Sequence, residues 1–80
     1  ISKKFIKALT GHTDRVVCFK IHDGKLYSSS ADNTIKVWDC SDRELITTLE
    51  GHTSCVYEFR FQNDKLYSKD ADGTIKIWKL

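Results

Sequence analysis

Leu26-Tyr27-Ser28-Ser29-Ser30-Ala31-Asp32-Asn33-Thr34-Ile35-Lys36-Val37-Trp38-Asp39 returns forty residues later as Leu66-Tyr67-Ser68-Lys69-Asp70-Ala71-Asp72-Gly73-Thr74-Ile75-Lys76-Ile77-Trp78-Lys79. Laid over each other, residues 1–40 and 41–80 agree at 17 positions, among them Gly11/Gly51, His12/His52, Phe19/Phe59 and Trp38/Trp78. A period of this length marks a repeat architecture, in which each unit buries its apolar face only against a neighbour. The chain is expected to hold two tandem units, 1–40 and 41–80, in one segment.

Outward from that stretch, each unit divides into short runs of strand-forming residues separated by turns. Residues 3–9 and 43–49 read as strands ending at Gly11-His12 and Gly51-His52. Residues 15–21 and 55–61, rich in β-branched and aromatic side chains, stop at His22-Asp23-Gly24 and Gln62-Asn63-Asp64. A third strand spans 25–30 and 65–70, and turns containing Asp32-Asn33 and Asp72-Gly73 lead to a fourth over 34–38 and 74–78. No stretch sustains a 3.6-residue period, so helix is not expected. Each unit therefore reads as a four-stranded antiparallel sheet. Ile35 and Val37 fall on one face and Trp38 on the other, so both faces need cover. A radial stack of such sheets, a β-propeller, supplies it.

At 80 residues and 40% hydrophobic content, one core contributes only a few kcal/mol, and neighbouring copies or further repeats are expected to assist folding. The net charge is +2, with basic and acidic residues interspersed apart from Lys3, Lys4 and Lys7. Such a surface gives no phosphate-binding face, so nucleic acid is not an expected partner. Lysines grouped on a strand protect an exposed edge from uncontrolled pairing. Cys18, Cys40 and Cys55 show no CxxC spacing, and none recurs in the other unit. Free thiols point to a reducing, intracellular setting, cytoplasmic or nuclear. No apolar run is long enough for a membrane helix, and no signal-peptide pattern opens the sequence. With no methionine in the chain, Ile1 is not a natural start; an excerpt of a longer protein or an engineered sequence is expected.

The ordered set Gly11-His12, Leu26-x-Ser28-x-Ser30-x-Asp32 and Thr34-Ile35-Lys36-Val37-Trp38-Asp39 resembles the WD40 repeat, and the second unit matches except that Lys79 replaces the closing aspartate. The resemblance implies that each repeat starts with the outer strand of one blade and continues with the inner strands of the next. Residues 3–9 would then be an orphan outer strand, and the blade formed by 55–78 would lack one. A strand from another copy completes that blade in this reading. Three copies would make six blades and four would make eight; the family's commonest ring, seven, is out of reach of two-blade chains.

His12, Ser28 and Asp32, with His52, Ser68 and Asp72, contain the residue types of a hydrolytic triad, and a Ser/His/Asp-dependent hydrolase is the first alternative. Their recurrence once per blade favours a structural device. The WD40 resemblance assigns them, with Trp38 and Trp78, to a network in which Asp holds His, His meets the Ser hydroxyl and Ser accepts from the Trp indole. No cysteine or carboxylate repeats at ligand spacing beside the histidines, so neither metal nor cofactor is expected. His22 reads as a turn residue. Tyr27/Tyr67 and Phe19/Phe59 read as core between blades; a base- or sugar-stacking platform, in a nucleic-acid- or sugar-binding propeller, is the second alternative. Carried over from the resemblance, candidate partner-binding positions are Thr13, Arg15, Ala31, Thr53, Cys55 and Ala71, with Arg15 the best anchor. The expected function is a non-enzymatic protein-interaction scaffold that associates head-to-tail. Its partners would be other copies, the remainder of a longer propeller, or a protein or peptide not specified by these residues.

Overall fold

A computed structural model describes residues 3–80. Seven strands succeed one another: β1 (Val16–His22), β2 (Lys25–Ser30), β3 (Ile35–Asp39), β4 (Leu45–Leu49), β5 (Val56–Gln62), β6 (Lys65–Asp70) and β7 (Ile75–Lys79). They form a four-stranded antiparallel sheet, β1-β2-β3-β4, and a three-stranded one, β5-β6-β7. No helix among the described residues is long and apolar enough to cross a membrane.

Turn chemistry sets the register. His22 stands opposite Lys25 and Gln62 opposite Lys65, which leaves two-residue turns. Asp23-Gly24 has φ values of +51° and +74°, and Asn63-Asp64 has +51° and +60°. Two successive left-handed residues twist in the sense the flanking strands need, and Asn, Asp and Gly tolerate that region best. The second unit keeps the turn without glycine for this reason. Both units also carry a β-bulge at the same place, Val16/Cys18 and Val56/Glu58.

Residues 3–9 depart from expectation: they contain no strand. A strand persists only where its backbone groups find a ladder partner. The outer edge of β3 is already paired with β4. The segment is tied down instead by Lys7, whose ammonium donates to the Glu44 carboxylate at 2.9 Å and to the Arg43 carbonyl at 3.2 Å. The second sheet accordingly has three strands and not four, with the outer edge of β7 open.

The two sheets pack face to face. Period-two alternation puts Tyr27, Ser29, Ile35 and Val37 on one face of the first sheet and Phe19, Ile21, Leu26 and Trp38 on the other. The first of these faces meets Val56, Phe59, Phe61 and Leu66 of the second sheet to form the core. Tyr27 approaches Phe61 edge-on at 4.8 Å and Phe59 at 6.5 Å. Ser29 Oγ donates to the Val56 carbonyl at 2.7 Å. His22 is more than a turn residue, for its ring stacks on Phe61 at 4.1 Å with 5° between planes.

Candidate functional site

Gly11 and Gly51 have φ of +150° and +133°, values side chains disfavour, and they swing the following histidine back over the sheet edge. His12 Nε2 lies 2.8 Å from Ser28 Oγ, and its Nδ1 lies 3.2 Å from Asp32 Oδ2. The Trp38 indole donates to Ser28 Oγ at 3.0 Å. Read from Trp to Ser to His to Asp, each donor meets an acceptor with a neutral imidazole protonated on Nδ1. Asp32 also accepts from the Thr13 amide at 3.0 Å and from the amide and hydroxyl of Thr34 at 2.9 and 2.6 Å.

The second unit repeats the chain with one exchange. His52 Nε2 is 2.7 Å from Ser68 Oγ, and the Trp78 indole donates to that oxygen at 2.8 Å. The carboxylate on His52 Nδ1, at 2.9 Å, belongs to Asp70 and not to Asp72. Asp70 Oδ1 further accepts from the amides of Asp72 and Thr74 at 2.9 and 3.1 Å. In the first unit those duties are divided, since Ser30 Oγ accepts from the Asp32 amide at 3.0 Å and Asp32 holds Thr34 and His12. One carboxylate two residues earlier does both jobs, and Asp72 is left exposed. The sequence carried the signal: Ser68-x-Asp70-x-Asp72 offers two carboxylates where Ser28-x-Ser30-x-Asp32 offers one.

Burial works to raise the Asp32 carboxyl, but the hydrogen bonds from Thr34, Thr13 and His12 outweigh it and hold the group well below the usual carboxylate range. Asp70 is lowered first by the hydrogen bond from His52, then, against the opposing effect of burial, by the Thr74 and Asp72 amides. A carboxyl whose folded-state pKa is depressed stabilises the fold above its unfolded value and loses that contribution as pH falls through the folded value. Urea midpoints are therefore expected to hold steady, as far as these groups act, from pH 7 to about 5 and to fall below about pH 4. Asp32→Asn in combination with Asp70→Asn is expected to flatten the acid limb.

Ser–His–Asp connectivity of this kind matches that of a hydrolytic triad, yet the hydroxyls sit differently. Ser68 is fully buried and Ser28 nearly so, and an indole N–H is donated onto each oxygen. An attacking hydroxyl needs access to a substrate carbonyl.

Backbone bonds join candidate partner-binding residues in pairs within each unit. The Ala31 amide donates to the Arg15 carbonyl at 2.9 Å and the Ala71 amide to the Cys55 carbonyl at 3.0 Å. Thr13 is joined to Asp32 through its amide. Thr13, Arg15, Thr53 and Ala71 are exposed, while Ala31 and Cys55 are half-buried.

The family model of the WD domain, G-beta repeat, matches residues 3–39 and again 43–79. The chain belongs to the WD40 family. WD40 repeats are in general non-catalytic scaffolds for protein–protein interaction, built as propeller blades. Among solved structures, the computationally designed Ika4 protein superposes with a TM-score of 0.81 at 33% identity, covering 91% of this chain and 46% of that one. The computationally designed Ika8 protein gives the same TM-score and identity while covering 23% of its chain. Zinc finger CCCH domain-containing protein 62 of Arabidopsis thaliana is 42% identical over 43 residues, which is 54% of this chain and 10% of that protein. This WD40 pair thus spans less than half of each of these relatives.

Proposed function

We propose that this WD40 chain is a non-enzymatic interaction scaffold whose first partner is another copy of itself, joined head-to-tail into a closed propeller by strand exchange. One observation carries the reading: equivalent residues of the two units are buried in one and bare in the other. Val56 and Phe59 are 0% and 4% exposed, against 53% and 67% for Val16 and Phe19. Ile35 and Val37 are 0% and 4% exposed, against 58% and 59% for Ile75 and Ile77. The open face of the first sheet is therefore the counterpart of the one the second sheet uses inside the chain, and the reverse holds for the second sheet. Stacking the second sheet of one copy on the first sheet of the next repeats the internal junction. Such a contact is heterologous and closes into a ring when the rotation per blade allows, with three or four chains per ring.

The unpaired outer edge of β7 takes the exchanged strand. In the first sheet Ile35, Lys36, Val37 and Trp38 stand opposite Leu49, Thr48, Thr47 and Leu45. Forty residues away, the same register sets Ile75, Lys76, Ile77 and Trp78 against Leu9, Ala8, Lys7 and Phe5 of a second copy. The rest of a longer propeller would satisfy the same faces. A protein or peptide partner docks on the end bearing Thr13, Arg15, Ala31, Thr53, Cys55 and Ala71, with Arg15 as its anchor. Three free thiols favour a reducing intracellular compartment.

Truncation to a chain starting at Thr10 is expected to abolish concentration-dependent association in sedimentation, while the far-ultraviolet spectrum keeps its β-structure. Association undiminished by the truncation would rule out exchange of this strand. In the network, Ser68→Ala is expected to cost about 1–3 kcal/mol in urea unfolding, because the His52 ring and the Trp78 indole each lose a buried partner. A hydrolase would instead keep its stability and lose turnover of an ester substrate.

A further inference from the structure

The open face of the second sheet is not a plain copy of the face that the first sheet turns inward. At the internal junction the polar contact beside the bulge is neutral, while farther along the Lys20 ammonium donates to the Phe59 carbonyl at 3.5 Å. Ser29 Oγ donates to the Val56 carbonyl at the bulge, and the Cys18 sulfur lies 3.1 Å from the same hydroxyl. The second unit carries Lys69 where the first has Ser29, and Glu58 where it has Cys18. Lys69 and Glu58 face each other across β5 and β6, and Arg60 Nε donates to Glu58 at 2.8 Å. The Lys69 ammonium rests 5.9 Å above the Tyr57 ring. A strip of charge therefore runs beside the bare Ile75 and Ile77.

Resting on the head-to-tail reading above, we propose that Lys69 determines how the second copy is recognised: its ammonium donates to the Val16 carbonyl of that copy. Three observations lead there. Val16 lies at the bulge equivalent to that of Val56, so its carbonyl takes the place of the Ser29 acceptor. The side chains that the first sheet's open face offers around it, Phe19 and Ile21, contain no acid. Glu58 is already engaged by Arg60, so the ammonium is free to turn from the Tyr57 ring to a carbonyl acceptor. Hydrogen bonds from a charged donor are about twice as strong as neutral ones, and this one would be covered by the apolar contacts around it.

The two junctions then carry different keys. The internal one has Ser29 on the bulge carbonyl, Lys20 on the Phe59 carbonyl and the His22–Phe61 stack; the one between copies has Lys69 on the bulge carbonyl and Gln62 over Ile21. A second copy that tried to displace the first sheet from its own partner would set Gln62 on Phe61 and forfeit the stack. Specificity of this kind comes from the difference between the right and the wrong contact.

The test is a dilution series of the full chain by light scattering, comparing the unaltered protein with Lys69→Leu, Lys69→Glu and Lys69→Ser. Association of the unaltered chain is expected to weaken about tenfold or more in Lys69→Leu and further in Lys69→Glu, and to stay within about threefold in Lys69→Ser, which restores the Ser29 chemistry. Circular dichroism on each variant reports whether the monomer is folded. Equal association of the unaltered chain and a folded Lys69→Leu would overturn the role of Lys69 and leave head-to-tail assembly standing. An unaltered chain that is monomeric at every concentration overturns both.

Discussion

Phe59→Ala is expected to abolish the cooperative thermal transition of this chain, whereas Phe19→Ala, the same position one repeat earlier, leaves the dilute chain folded and removes its association. Phe59 is sealed between the sheets against Tyr27, and truncating a buried phenylalanine costs about 3–5 kcal/mol through lost transfer energy and the cavity left behind. A domain of this size commands roughly 4–12 kcal/mol in total, and a two-blade stack with two bare faces belongs near the lower end. Phe19 is two-thirds exposed within the single chain and has little folding energy to lose. In the proposed ring it would be the counterpart of Phe59. Thermal unfolding followed at low concentration, with scattering at high concentration, separates the two effects. A Phe19→Ala chain that unfolds like Phe59→Ala would contradict the assignment of its face as free in the single chain.

Asp70→Ala is expected to lower the urea midpoint far more than Asp72→Ala. The side chain of Asp70 is 1% exposed and receives three hydrogen bonds, from His52 and the amides of Asp72 and Thr74. Removing it leaves an imidazole N–H and two amides without acceptors at once, and such losses are felt at their full desolvation cost. Asp72 contributes its amide, which alanine retains. In the first unit the ranking is reversed, since Asp32 holds the histidine there and Ser30 plays the lesser part. Asp32→Ala is expected to exceed Ser30→Ala. Equal midpoints for the two second-unit variants would show that the exchange of carboxylates has no energetic weight.

The strands from Val16 onward were legible to within about two residues, the usual uncertainty of element ends, because local chemistry fixes them: paired turn residues at 23–24 and 63–64, and alternating apolar side chains between. The residues of the Trp–Ser–His chain were legible from their order and spacing. Three features were not. Residues 3–9 have the composition of a strand, but a strand is a relation between two segments, and composition alone supplies no partner edge. Asp70 and Asp72 are chemically alike, and which one meets His52 depends on the path of the turn, a matter of a few ångströms. His22 pointed to a turn by its neighbours, yet its ring direction is decided by Phe61 from the other repeat. The inequality of Phe19 and Phe59, or of Ile35 and Ile75, is likewise invisible in the sequence, because both repeats carry the same residue at each of these positions. It arises only when one copy of each face has found its partner and the other has not.

The most direct measurement is the absolute mass of the 80-residue chain in solution by light scattering behind size exclusion across a concentration series. Head-to-tail closure predicts that the 9.2 kDa chain converges on one species of about 28 kDa for three copies or about 37 kDa for four, with no growth beyond it, because a closed ring leaves no face unpaired. A mass that stays at 9.2 kDa throughout, or one that climbs without limit, would contradict it.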